Sequence, residues 1–118
     1  MQEHHNKLNY VEFSAQDLAA TKAFFEQAFS WQFTDYGPQY TAFSGAGLDG
    51  GFYYNDKASV AEQGGALLVF YSETLEQTQT KVEQSGGVIN KAIFAFPGGR
   101  RFHFIEPSGN EFAVWSDK

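Results

Sequence analysis

Two short stretches of this chain carry side chains able to do chemistry. In the first, Tyr10, Glu12 and Ser14 alternate along a run that reads as a strand, so all three leave the same face. A carboxylate among aromatic rings takes a raised pKa and can serve as a general acid or base. The competing role for Glu12 is an ion pair or a place near the rim of a cavity. In the second stretch, Arg101 and His103 share one face, while Phe102, Phe104 and Glu106 share the other. A histidine beside an arginine can hold an anion or shuttle a proton. The same alternation also fits a solvent face opposite an apolar core. Arg100 is expected in the preceding turn, exposed, and His4 and His5 read as solvated residues of a polar terminus.

Aromatic side chains form the third resource. There are 13 Phe, 6 Tyr and 2 Trp, or 18% of the chain. Tyr36, Tyr40, Tyr53, Tyr54, Tyr71, Trp31 and Trp115 are candidates for a stacking pocket, because ligand cavities are largely apolar and aromatic. Rings at strand spacing also build cores. Several familiar chemistries are excluded. The chain has no cysteine, which removes disulfides, thiolate metal sites and thiol nucleophiles. It holds no Gly-x-Ser-x-Gly elbow, and the glycines of residues 45–51 fit neither a P-loop nor a dinucleotide fingerprint.

The net charge of -6 argues against a nucleic-acid partner, which needs a cationic stripe to displace counterions from phosphates. An anionic membrane surface is disfavoured for the same reason, and no apolar run approaches the length of a spanning helix. With no leader-like segment and no cysteine, the expected location is the cytoplasm. A chain of 118 residues fits one domain.

The elements that would position these residues occur twice. Leu8 to Ser14 reads as a strand, Asp17 as an N-cap, and Leu18, Thr21, Phe25, Ala28 and Phe29 as the stripe of a helix over 18–29. Three aromatic-rich strands follow at Trp31–Thr34, Tyr40–Ser44 and Gly51–Tyr54. Gly50-Gly51 predicts a bulge or a close backbone approach. Residues 55–65 read as a linker. The order then repeats. Ala66–Tyr71 is a strand, Thr74 and Gln77 have capping-box spacing, and Leu75, Thr78 and Val82 form a helix stripe ended by Gly86-Gly87. Strands at Val88–Phe96, Arg101–Glu106 and Glu111–Ser116 complete the second unit, separated by glycine-rich and proline-containing turns. Two such units, about 8–54 and about 66–116, are each too small to bury a good core alone and must share one.

This repeated order, with its local motifs, resembles the glyoxalase/bleomycin resistance protein/dioxygenase (vicinal oxygen chelate) superfamily. The run from Tyr10 through Asp17-Leu18, with Phe24-Phe25 and Ser30-Trp31, looks like the family's first strand and helix. Phe104-Ile105-Glu106-Pro107-Ser108-Gly109-Asn110 is similar to its Phe-x-Asp-Pro-x-Gly-Asn hairpin, with Glu106 where Asp is commoner. The middle, from Tyr40-Thr41-Ala42-Phe43 through Leu48-Asp49-Gly50-Gly51-Phe52, resembles a metal-poor, glyoxalase-like subgroup. The resemblance implies an α+β fold: two βαβββ modules forming a mixed, mostly antiparallel open barrel around a shared cavity. It also implies a homodimer.

In metal-dependent members each module supplies one ligand from its first strand and one from its last. Matching the motifs carries those positions to Tyr10, Tyr53, Leu67 and Ala113, with Phe52 as the alternative to Tyr53. Leu67 and Ala113 have no donor atom, and tyrosine ligates only as phenolate, rare at neutral pH with a pKa near 10. Shifting the register by one residue restores no site. The expectation is therefore no metal and no cofactor. The cavity candidates are Tyr10, Tyr53, Leu67, His103, Ala113 and Trp115, facing a small-molecule ligand. The alternative is a glyoxalase-like lyase or isomerase with Glu12 as general base.

Overall fold

The computed structural model describes residues 2–118. It contains two mixed four-stranded sheets and two helices, in the repeated order expected. The first unit runs β1 (Tyr10–Ala15), α1 (Leu18–Phe29), β2 (Gln32–Asp35), β3 (Tyr40–Ser44) and β4 (Asp49–Tyr54). The second runs β5 (Leu68–Tyr71), α2 (Leu75–Gln84), β6 (Val88–Phe96), β7 (Gly99–Ile105) and β8 (Glu111–Ser116). The strand orders are β1-β4-β3-β2 and β5-β8-β7-β6. In each sheet the first strand lies parallel to the last and the remaining neighbours are antiparallel. A parallel neighbour needs a long crossover, which α1 and α2 begin. Neither helix is long and apolar enough to cross a membrane.

The helix α1 starts where the sequence predicts. Asp17 accepts a hydrogen bond from the Ala20 amide at 3.0 Å, satisfying a free N–H of the first turn. Its C-cap, Ser30, takes φ 59°, a left-handed conformation usually given to glycine. In α2 the capping box does not form. Thr74 is the N-cap but its side chain makes no cap hydrogen bond. Instead the Ser72 hydroxyl accepts from the Thr74 amide and meets the Thr78 hydroxyl, so the polar contact is made a turn away. Strand ends also shift by one or two residues. Leu8 is 93% exposed and precedes β1, and Leu67 precedes β5.

One core joins the two units. Phe25 stacks on Trp31 at 4.2 Å and on Phe52 at 5.7 Å, and meets the edge of Phe112 at 5.2 Å. Phe13 reaches Phe112 at 5.1 Å, and Phe24 reaches Phe104 at 5.6 Å. Each fully buried Phe contributes about 1.5–3 kcal/mol of transfer free energy. The faces turned away from this core carry Tyr10, Glu12 and Tyr53 on the first sheet, and Val69, Arg101, His103, Ala113 and Trp115 on the second.

Gly50 and Gly51 lie in regular strand pairing and not in a bulge. The close-approach reading holds: a Cβ on Gly50 would strike the Val11 carbonyl and the Phe43 ring, and one on Gly51 would strike the Tyr40 hydroxyl.

Candidate functional site

Two polar clusters stand on the outward faces. On the first sheet, β1, β3 and β4 bring three side chains into a chain of hydrogen bonds. The Tyr40 hydroxyl donates to Glu12 Oε2 at 2.9 Å and meets the Tyr10 hydroxyl at 2.6 Å. Gly51 makes this possible, because Tyr40 lies over the place where a side chain would stand. Burial, together with the Tyr10 hydroxyl and the Glu12 carboxylate, pushes the Tyr40 pKa well above its ordinary value. Tyr40 therefore stays a proton donor to the Glu12 carboxylate. Glu12, Ser14 and Tyr53 line one cleft of about 420 Å³ with residues 57–66 of the connecting segment.

On the second sheet the cluster is tighter. Glu111 is 4% exposed and His103 5%. His103 Nδ1 lies 2.7 Å from Glu111 Oε2. Its Nε2 faces the Arg101 guanidinium, 3.0 Å from Nη2 and 3.2 Å from Nε. Arginine only donates, so Nε2 must accept and the proton sits on Nδ1. The imidazole is thus neutral and donates to Glu111. Burial alone would raise the Glu111 carboxyl. Hydrogen bonds from the Ala61 amide, His103 and Asn90 outweigh it and hold the carboxyl below its ordinary value. The Arg101 guanidinium lies 5.9 Å from the Phe94 ring centroid and 5.8 Å from that of Phe96. Trp115 is paired with Arg101 across the β7–β8 ladder and meets Tyr71 edge-on at 5.2 Å.

A third buried network is structural. Glu106 Oε1 accepts from the Thr21 hydroxyl at 2.7 Å and the Ser108 amide at 2.9 Å, and its Oε2 accepts from Asn110 Nδ2 at 2.7 Å. The hairpin between β7 and β8 is thereby tied to α1. This is the work of the acidic residue and asparagine that the sequence motif singled out.

The face assignments of Glu12 and Tyr10, and of Arg101 and His103, agree with strand parity. The solvent reading of His103 does not: it is buried, because the Glu111 carboxylate and the Phe94 ring cover it. Arg100 is not a free turn residue either. It lies within β7, next to its first residue Gly99, and grips Glu76 of α2 with two guanidinium nitrogens, at 2.5 and 3.2 Å. Tyr40 was expected only as a stacking ring and not as a hydrogen-bond partner of Glu12, and Glu111 and Asn90 were missed as site residues. A signal for Glu111 existed: with a turn at 107–110, His103, Ala113, Ile105 and Glu111 all fall on one face.

The four positions matched to metal ligands divide between the sheets. Tyr10 and Tyr53 belong to the first, and Ala113 belongs to the second, with Leu67 just ahead of β5. They do not suit a divalent ion. Leu67 and Ala113 offer no donor, and the Tyr10 hydroxyl is already bonded to Tyr40. Among the described residues no three His, Cys, Asp or Glu side chains come together as a metal site. An apolar cleft of about 280 Å³ also opens between the units, walled by Val11, Trp31, Phe43, Leu68, Phe70 and Phe112 among others.

The sequence matches the family model of the Glyoxalase/Bleomycin resistance protein/Dioxygenase superfamily over residues 7–114. The chain belongs to this superfamily. Solved members share its fold. A glyoxalase/bleomycin resistance protein/dioxygenase family enzyme from Burkholderia phytofirmans PsJN superposes with TM-score 0.76 at 19% identity, covering 94% of this chain and 98% of that one. Lactoylglutathione lyase from Agrobacterium tumefaciens superposes with TM-score 0.70 at 18% identity, covering 96% of each chain. The fosfomycin resistance protein FosX from Listeria monocytogenes gives TM-score 0.78 at 17% identity, over 96% of this chain and 94% of that one. Among curated proteins no match is found. At these identities the structural likeness carries the βαβββ architecture alone.

Proposed function

We propose that this superfamily member binds a small molecule in an aromatic-lined cavity without the divalent ion its metal-dependent relatives use. The observation that carries the reading is the donor set. Two of the four ligand positions are Leu67 and Ala113, and a third, Tyr10, has its hydroxyl engaged by Tyr40. Aromatic side chains stand exposed on both outward faces: Tyr10 is 45% and Tyr53 39% exposed on the first sheet, and Tyr71 is 49% exposed on the second. Rings that share no core are available to a ligand or a second copy. We extend the proposal to a homodimer in the cytoplasm, the cysteine-free composition fitting a reducing compartment.

Elemental analysis of the purified protein tests the metal-free reading directly. The expected result is no stoichiometric Ni, Zn or Mn, and no change in melting temperature on treatment with a chelator. A stoichiometric ion that returns after removal and raises the melting temperature overturns it. A thermal-shift screen of small aromatic compounds then tests binding.

The second reading is a lyase or isomerase with Glu12 as general base. The Glu12–Tyr40–Tyr10 chain favours it, because a carboxylate held beside two hydroxyls can take a proton while a phenol donates one. Lactoylglutathione lyase and the fosfomycin resistance protein among the structural neighbours represent an enzyme and a drug-resistance protein. Glu12→Gln separates the readings: a base role predicts a loss of about 10²–10⁴ in turnover with ligand affinity kept. Unchanged turnover dismisses it.

A further inference from the structure

Arg101 is a half-buried cation of the second outward face. Two other cations are neutralised directly: Lys22 by Asp35 at 2.8 Å and Arg100 by Glu76. Arg101 has no carboxylate within ion-pair distance among the described residues. Its Nε and Nη2 are spent on a neutral imidazole, and its Nη1 finds no acceptor among them. The guanidinium is half-buried, with Phe94 and Phe96 near its planar group and Trp115 across the ladder. The His103–Glu111 pair makes this arrangement rigid. Glu111 draws the proton to Nδ1, which leaves the Nε2 lone pair to hold the guanidinium in place. A fixed, planar, partly desolvated fork with free N–H groups is suited to a planar oxyanion, and surrounding rings are suited to a flat apolar body.

We propose that Arg101, held by His103 and Glu111, is the anchor for the carboxylate of a flat aromatic ligand. The inference rests on the small-molecule binding reading above and adds the chemical class. It differs from that reading in requiring a negative charge. Arg101 recognises the oxyanion, and His103 and Glu111 are positioning residues that set its orientation. Trp115 and Tyr71 offer edges and faces on the carboxylate's aromatic side.

The test uses isotope-labelled full chain titrated with phenylacetate and, separately, with phenylacetamide. The two probes share a ring and differ in charge. The Arg101 Nε–H and Trp115 Nε1–H resonances report the site. The expected result is that phenylacetate shifts both and binds at least about tenfold tighter than the amide, as a charge-assisted fork requires. Arg101→Gln should bring phenylacetate down to the affinity of the amide and leave the amide unchanged. Arg101→Lys keeps the charge, loses the fork, and should recover only part of the difference. The Lys variant carries the test if the Gln variant loses the dispersed spectrum of a folded protein. Equal affinity of the two probes for the wild-type chain overturns the anchor and leaves small-molecule binding standing. Binding of neither overturns it as well, and the metal and thermal-shift measurements then judge the broader reading on their own. If Arg101→Gln converts a dimer to a monomer without altering the preference for phenylacetate, the guanidinium belongs to a partner's carboxylate and the proposal fails.

Discussion

Glu106 and Glu111 flank one turn and answer burial in opposite ways. Burial pushes the Glu106 carboxyl above its ordinary value, against hydrogen bonds from Ser108, Thr21 and Asn110. Its contribution to stability is present below the unfolded value, about 4.3, and is lost as pH rises through the folded one. Burial also opposes the Glu111 charge, but there the Ala61 amide, His103 and Asn90 prevail, and the carboxyl is held below its ordinary value. Its contribution is present above about 4.3 and is lost as pH falls through the folded pKa. Glu111→Gln should therefore cost about 2 kcal/mol at pH 7, the worth of a buried charge-assisted hydrogen-bond set. The deficit should narrow as pH falls below about 4, where wild type loses the same charge. Urea unfolding of both proteins at neutral and acid pH measures this. A deficit unchanged with pH would mean that the carboxylate gains nothing from the folded state.

Each helix ends on a residue chosen by backbone geometry. Gly86 after α2 takes φ 106°, and its neighbour Gly87 packs so closely on Val82 and Phe24 that a side chain would not fit. Ser30 after α1 adopts the same left-handed region at φ 59° with a Cβ attached. The strain of that conformation makes Ser30→Gly an expected stabilising change of about 0.5–1 kcal/mol, net of the extra freedom glycine has when unfolded. Thermal and urea melts check it, and a loss of stability would show that the Ser30 hydroxyl does more than the backbone suggests. The element pattern itself was legible in the sequence. The Asp17 cap, the helix over 18–29 and the apolar parity of Phe102 and Phe104 all follow from local chemistry. In place of the capping box at Thr74, the Ser72 hydroxyl takes the Thr74 amide that the Gln77 side chain would have accepted.

Across the whole molecule, the two outward faces carry unlike charge. Glu12 and Asp49 stand on the first sheet, and Lys91 and Arg101 on the second. Sedimentation should show the proposed homodimer at high micromolar concentration. A strictly monomeric profile would sink the dimer. By itself the sequence determined the duplicated βαβββ order, the placement of Tyr10 with Glu12 and of Arg101 with His103, and the absence of donors at Leu67 and Ala113. These depend on periodicity, turn residues and side-chain chemistry, which are local. Tertiary structure alone decided the rest. Tyr40 reaches Glu12 only because β3 and β4 pair in one register over Gly51. The connecting segment brings the Ala61 amide to Glu111 from 50 residues away. The pair of chemically capable stretches thus became two separate clusters, one on each sheet. No spacing in the sequence encodes which long-range partners complete them, because register and loop path are set by the shared aromatic core.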